Sequence, residues 1–374
     1  MKYAGFVGLM ALFFCGAFFV AAQEIHQDLE EVLKAEVVEI VREEERMVPG
    51  TDTPTTVQTI RARVTEGARE GEVIEFENDF IVLTEGQRFY LNHLAFIDGG
   101  EMYMVRDVDR TRGIIALLCL FAGAVVLLGG MQGVRSLLSL IVSFAVIVWA
   151  LFPLLLAGYS PIAVSIVLGS LILALALFLT HGVSLRSLAA WLGASLSIVI
   201  TGLVAYFGTE LLSLSGFFSD ETVYLNLNTN GLLDFKGLLL GGIIIGVLGV
   251  LDDIAVTQVA VVAELHATDP TLTPQELFAR ALRVGREHVS ALVNTIVLAY
   301  AGVALPLLLF FAHTQSSLLD VLNNEIFATE IVRTIAGSIG LIATVPIATA
   351  LAVFFAQRTN LVSPGEKAHT HHHA

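Results

Sequence analysis

Two adjacent aspartates, Asp252 and Asp253, lie inside an otherwise apolar stretch that runs from Gly237 to Leu265. At a rise of about 1.5 Å per residue, they fall roughly 22 Å from the start of that stretch. This depth is well within a hydrocarbon core about 30 Å thick. A carboxylate there costs roughly 2.5 kcal/mol or more, and intramembrane ionisable residues mark proton or ion pathways by default. The pair is therefore predicted to be a proton or ion relay.

Polar residues follow the pair along the same stretch. Thr257 lies one helical turn after Asp253, Gln258 comes next, and Glu264 falls on nearly the same helix face. Adjacent carboxylates in surroundings of low dielectric constant resist ionising together, so the pair should titrate as a unit. We expect Thr257 to belong to the relay, with Gln258 and Glu264 in support. The alternative is a pair neutralised by internal partners for packing alone.

The next apolar stretch offers partners for the aspartates. Asn294 lies roughly 10 Å beyond Glu287 along a helix, which gives it a depth comparable to that of the pair. We predict that Asn294 and Thr295 hydrogen-bond to the aspartates and complete the relay. Arg286, Glu287 and His288 precede them as supporting candidates. The simpler interpretations are an interfacial histidine and an arginine that binds headgroups or sets topology.

Three glycines precede the aspartates at helical spacing. Gly242 and Gly246 form a GxxxG pair, and Gly249 follows them. Small residues at this spacing let a second helix approach closely in a membrane. We expect these glycines to serve helix packing.

The composition places these residues in a multi-span membrane protein. The 374-residue chain is 55% hydrophobic and 15% charged, against about 25% charged residues in soluble domains. Most of its net charge of -15 comes from residues 23–110, which hold 21 acidic and 9 basic side chains. Nucleic-acid binding requires clustered Lys and Arg and is excluded.

The two cysteines form no disulfide framework, and the His369–His373 run is interpreted as a tail, so we expect no metal and no organic cofactor.

The N-terminal part of the chain has the pattern of an exported domain. Residues 1–22 have a charged start, an apolar core and a small-residue cleavage site, which indicates a signal peptide or an uncleaved anchor helix. Residues 23–112 then carry five or six short β-branched and aromatic runs separated by glycines. This pattern predicts a small β-rich domain, with an OB-like closed sheet as one form.

Residues 113–358 are predicted to be an α-helical polytopic membrane bundle of about seven spans. The predicted spans are 114–131, 136–157, 161–180, 187–207, 237–265, 289–312 and 332–355. An exported head makes odd-numbered spans end inside, and among the segments after the first span the inside ones then hold most of the Arg residues. The expected location is the cell membrane, with the N-terminal domain outside the cytoplasm and residues 359–374 as a cytoplasmic tail.

Several of these stretches resemble the YibE/F family of bacterial membrane proteins. They are GVLGVLDDIAVTQVAVVAEL, the basic loop with GREH, NTIVLAYAGVALPLLLF, and the opening TRGIIALLCLFAGAVVLLGG. The resemblance is strongest over residues 237–311. In that family a glycine-basic pair and an asparagine-threonine pair recur, and here they correspond to Gly285-Arg286 and Asn294-Thr295.

A weaker likeness concerns mechanism. Gly-x-x-Asp-Asp in a helix, which here is Gly249 to Asp253, followed by a threonine-bearing helix, resembles the proton-relay core of resistance-nodulation-division and SecF-type exporters. The likeness implies that Asp252 and Asp253 are relay carboxylates and that Thr295 is a relay hydroxyl. No lysine lies within any predicted span, so the relay lysine of those exporters has no counterpart here.

These observations support a proton-coupled transporter or exporter in which the aspartate pair loads and releases a proton. Its partners would be the lipid bilayer and a transported substrate or a protein on the exported side. The alternative is a non-transporting accessory membrane protein whose exported domain binds a partner. An intramembrane aspartyl protease needs two carboxylates that share one water, which adjacent residues on one helix do not favour, so we do not expect an enzyme.

Overall fold

The computed structural model describes residues 30–48, 50–67, 69–96, 100–217, 219–314 and 317–358. The predicted signal or anchor (1–22) and the predicted tail (359–374) lie outside these residues. The chain divides into two compact units, Met1–Ala124 and Val125–Ala374, and each is described by itself.

The first unit contains a five-stranded antiparallel sheet. Its strands are β1 (Glu30–Met47), β2 (Pro54–Glu66), β3 (Val73–Asn78), β4 (Arg88–Ala95) and β5 (Glu101–Val108). They are arranged in the order β3-β2-β1-β4-β5, and the edge strands β3 and β5 approach each other. The N-terminal β-rich domain predicted from the sequence is therefore present. Of the six predicted runs, FIVL (residues 80–83) is not a strand.

Alternation of side chains builds the core of this sheet. Leu33, Ala35 and Val37 of β1 are buried, as are Ile60 and Ala62 of β2. The residues between them face outward, as the two-residue period of a strand requires. β1 is long enough to pair with β4 over Glu30–Glu36 and with β2 over Lys34–Met47. Register shifts in β1 accompany this change of partner.

From Thr111 onward the described chain is mainly helical. The helices are α1 (Thr111–Val146), which continues through a π-helical turn (Ile147–Leu151) into α2 (Phe152–Leu156), then α3 (Pro161–His181), α4 (Leu185–Leu211), α5 (Asp220–Asn228), α6 (Phe235–Thr268), α7 (Pro274–Val303), α8 (Leu305–His313), α9 (Leu318–Asn323) and α10 (Glu325–Arg358).

Five of these helical stretches are long and apolar enough to cross a membrane, or six if the bent pair α7 and α8 forms one span. The predicted count of seven is not confirmed. The first two predicted spans fall within one stretch of 46 residues, Thr111–Leu156. That stretch is interrupted at Gly130, whose backbone is not helical (φ 54°, ψ -132°). The chain folds back there, since a Cβ on Gly133 would collide with the carbonyl of Val125.

Prolines account for the other irregularities. The π-helical turn lies directly before Pro153, and α7 and α8 meet at an angle of 60° just before Pro306. A proline removes one helical hydrogen bond and clashes with the preceding turn. Neighbouring helices and local π adjustments let a membrane helix tolerate this disruption.

The core of the helical unit is built by α3, α4, α6, α7 and α10. The α4–α10 contact is close because small residues face each other: a Cβ on Gly193 would lie 3.0 Å from the Cα of Ala348. At Gly340, a Cβ would overlap the Oγ1 of Thr201. α4 and α10 both also pack against α6, which carries the aspartate pair.

Candidate functional site

The aspartates project from α6 into two different environments. Adjacent residues on an α-helix are separated by about 100° around its axis. Asp252 is half-buried, and its Oδ1 is buried without a hydrogen-bond partner among the described residues. Asp253 is exposed on the outer surface of α6. The carboxylate of Asp252 is therefore partly enclosed in the bundle, and that of Asp253 lies on its outer surface.

Asp253 belongs to a continuous exposed stripe on α6, in which the side chains are small or acidic. Its members are Gly242, Gly246, Gly249, Asp253, Ala260 and Glu264. Thr257 is half-buried at the edge of this stripe. The structure thus places Thr257 and Glu264 on the same side of α6 as Asp253.

Gln258 joins α6 to α7 rather than to the aspartates. Its side chain is 3% exposed, and its Nε2 donates a hydrogen bond of 2.8 Å to the carbonyl of Ala281. Gly285 lies opposite, where a Cβ would come within 2.6 Å of Gln258 Oε1 and 2.5 Å of Val345 Cγ1. The glycine of the GREH sequence therefore makes room for α6 and α10. Gln258 positions the second half of α6.

The polar residues of α7 lie on its outer face. Arg286, Glu287, His288, Asn294 and Thr295 are all exposed. Thr295 donates a hydrogen bond to its own helix, at the carbonyl of Ala291 (3.0 Å). The described residues include no hydrogen bond from Asn294 or Thr295 to either aspartate, so the predicted pairing is not formed in the structure. The reason is the rotation of α7 about its own axis, because buried residues such as Gly285 and Ile296 occupy its inner face.

The predicted glycine packing lies elsewhere in the bundle. No atom of the described residues comes within 4 Å of a Cβ built on Gly242 or Gly249, and the hydroxyl of Tyr300 lies 3.4 Å from one on Gly246. Close approach occurs instead at Gly241, where the Oγ of Ser165 on α3 would be 2.6 Å from a Cβ. Within the described chain, the GxxxG face of α6 has no helix packed tightly against it.

Sequence reasoning missed the small-residue interface between α4 and α10. The signal was present as small residues four apart, Gly193, Ser197 and Thr201 on α4, and Gly340, Thr344 and Ala348 on α10. Their hydroxyls are buried and hydrogen-bond to the carbonyl four residues earlier in the same helix. This satisfies the hydroxyls without cross-helix partners.

The described residues contain no group of three or more His, Cys, Asp or Glu side chains arranged to hold a metal ion.

A comparison with families of proteins matches residues 117–358 to the YibE/F-like protein family. This match includes the aspartate helix, the GREH sequence and the asparagine-threonine pair, which carry the resemblance seen in the sequence. No curated protein and no solved structure matches the chain. Since the matched region covers well over half of the 374 residues, the chain belongs to the YibE/F-like family.

Proposed function

We propose that this membrane protein is a proton-coupled transporter or exporter, and that Asp252 and Asp253 carry the proton. The observation behind the proposal is the arrangement of the pair. Asp252 has a buried oxygen without a partner, and the exposed Asp253 is its neighbour on the same helix. A proton passed between them would move between the bundle interior and the outer surface of α6.

Burial makes Asp252 responsive to protonation. A buried ionised carboxylate without compensating hydrogen bonds is costly, and protonation removes most of that cost. Loading and unloading a proton at Asp252 therefore changes the energy of the α6 packing around it. Packed helical interfaces convert such local changes into discrete rearrangements, because they are bistable rather than continuously deformable.

The exposed stripe of α6 supplies a route to the membrane surface. Glu264 lies about three helical turns beyond Asp253 on the same stripe, and Thr257 lies between them. The glycines on the other side of Asp253 present a smooth surface along which a second helix can slide. We assign Glu264 as the end of the route at the α6–α7 turn.

We also propose that the N-terminal domain lies outside the cytoplasm and the C-terminus inside. The turn between α6 and α7 and the first half of α7 hold Arg280, Arg283 and Arg286. Short segments rich in Arg are retained on the cytoplasmic side.

The test is charge displacement after a pH jump, with purified protein in liposomes. The native chain should give a transient current that Asp252→Asn/Asp253→Asn abolishes. Asp79→Asn makes the same chemical change on an exposed loop of the N-terminal domain, and should leave the current unchanged. A native chain that gives no current, or a double variant that keeps it, contradicts the proposal.

A second candidate function, the accessory role, has its own supporting observation. Val32, Met102 and Met104 are each about half exposed on the outer face of the sheet. Strand pairing aligns Val32 with Asn92 and Asn92 with Met104, so exposed apolar side chains of β1 and β5 lie on either side of Asn92 on one face of the sheet. We infer an OB-like, partly open barrel for this domain, because the edge strands β3 and β5 approach each other.

The two functions make opposite predictions. In the accessory role, Met102→Glu/Met104→Glu removes the association made by the N-terminal domain, while the aspartate double variant behaves like the native chain. A photo-crosslinker placed at position 104, compared with one at the exposed Glu85, would report that association in cells. Crosslinking that is equal at both positions argues against the patch.

A further inference from the structure

A cavity of 210 Å³ lies between the end of α3, the start of α4 and the second half of α6. It is separate from the aspartate pair, and the proposed function does not use its polar residues. His181 is the last residue of α3, while Ser184 and Arg186 lie at the start of α4. Val256 and Ala260 of α6 form the facing wall.

The polar side of the cavity is cationic. Arg186 carries a permanent positive charge with donors arranged to bind carboxylate or phosphate oxygens, and His181 is a second basic group at the exposed rim. α4 has no acidic residue in its first turn, so the positive end of its dipole adds to the field of Arg186.

The serines shape this side. Ser184 caps α4 by accepting a hydrogen bond from the backbone N–H of Ser187 at 3.1 Å. Ser187 in turn donates from its Oγ to the carbonyl of Gly182 at 2.7 Å. These bonds fix the turn between α3 and α4, and with it the backbone positions of His181 and Arg186.

The rest of the wall is apolar, and the volume limits what fits. The cavity equals roughly seven water molecules at about 30 Å³ each, which is less than the roughly 300–1,000 Å³ of sites for drug-sized ligands. Ala260 is exposed and Val256 half-buried, so an apolar chain attached to the ligand can leave along the outer surface of α6.

We propose that this cavity binds a phosphate or carboxylate anion attached to an apolar group, with Arg186 as its main charge partner. An acidic phospholipid and a small free organic anion both present this chemistry. The site lies within two helical turns of Asp253 along α6. Occupancy of the site, however, does not depend on proton movement by the aspartates.

The experiment titrates the full chain in detergent with three probes. These are a short-chain phosphatidylglycerol, a phosphatidylcholine with the same chains, and butyl phosphate. Bound phosphatidylglycerol and phosphatidylcholine are counted by native mass spectrometry, and butyl phosphate binding is measured by calorimetry. We expect an anionic probe to bind more tightly than phosphatidylcholine. Tight binding of phosphatidylglycerol alone identifies a lipid site, and tight binding of butyl phosphate identifies a site for free anions.

Two variants test the site in different ways. Arg186→Gln should weaken anion binding by about tenfold or more, the usual value of a charge-assisted hydrogen bond. Ala260→Phe keeps the charge but fills the cavity from its exposed rim, and it should weaken binding to a similar extent. Because Ala260 is exposed, this variant stays informative if Arg186→Gln fails to fold.

The control is Arg283→Gln, which removes an exposed charge from α7 away from the cavity. It should leave the affinity unchanged within about twofold, well inside the range of a surface charge. Equal loss in Arg283→Gln and Arg186→Gln, native affinity in Ala260→Phe, or no preference for anions would each overturn the proposal.

Discussion

At the scale of single residues, Glu101 is a carboxylate of the N-terminal domain that accepts hydrogen bonds from two side chains. Arg69 Nη2 donates to its Oε1 at 3.0 Å, and Tyr103 donates to its Oε2 at 2.8 Å. These hydrogen bonds from Arg69 and Tyr103 lower the pKa of Glu101 to about 2. The same contact raises the pKa of Arg69. This network links the loop after β2 to β5.

The lowered pKa predicts how the domain responds to acid. Because the folded pKa of Glu101 lies below its ordinary value of 4.5, its stabilisation is fully present above about pH 4.5. It is lost as the pH falls toward 2. Glu101→Gln should therefore increase hydrogen exchange in β4 and β5 at about pH 6, and the difference should vanish near pH 2. A difference that is independent of pH would assign the effect to packing rather than to ionisation.

The aspartate pair shows what could be predicted at this scale. Its depth in an apolar helix follows from the sequence, because hydrophobic length alone places it. Its partners do not follow, because Asn294 and Thr295 share the depth of the pair but lie on the outer face of α7. Rotation of a helix about its own axis is set by packing, which depth does not reveal.

At the scale of elements, the helix boundaries agree with the sequence pattern more closely than the helix contacts do. The fifth predicted span, 237–265, corresponds to α6 at Phe235–Thr268. Apolar residues occur on every face of the first half of α6, so no periodicity distinguishes a buried face from an exposed one. The GxxxG spacing predicts packing at Gly242 and Gly246, whereas Gly241 and Gly285 make the close contacts.

Two glycines should respond in opposite ways to substitution by alanine. Gly285→Ala forces a Cβ against Val345 and Gln258, and overpacking of this kind costs about 1–3 kcal/mol. Gly249→Ala meets open space within the described chain, and alanine favours a helix interior by roughly 0.5–1 kcal/mol. Thermal unfolding in detergent should show a lower midpoint for Gly285→Ala only. A lower midpoint for Gly249→Ala as well would indicate that another helix packs on the exposed stripe of α6.

At the scale of the whole molecule, the break at Gly130 decides how many times the chain crosses the membrane. The stretch Thr111–Leu156 has 46 residues, and a straight helix of that length would extend roughly 69 Å. A single crossing needs only about 20 apolar residues. If the stretch is divided at Gly130 and crosses twice, the chain has crossed the membrane an odd number of times when it reaches the turn between α6 and α7. If the stretch crosses only once, the number of crossings before that turn is even.

Labelling with a membrane-impermeant maleimide therefore tests the crossing number and the proposed orientation together. In a chain whose two cysteines are replaced by serine, Glu85→Cys reports on the N-terminal domain and Gln275→Cys on the start of α7; both positions are exposed. In intact cells we expect labelling of Glu85→Cys alone, because an odd number of crossings puts Gln275 on the opposite side, where the arginines of α7 obey the positive-inside rule. Permeabilised cells supply the control, since both sites should then react. Labelling of both sites in intact cells would mean that Thr111–Leu156 crosses once, and that the Arg-rich start of α7 is outside.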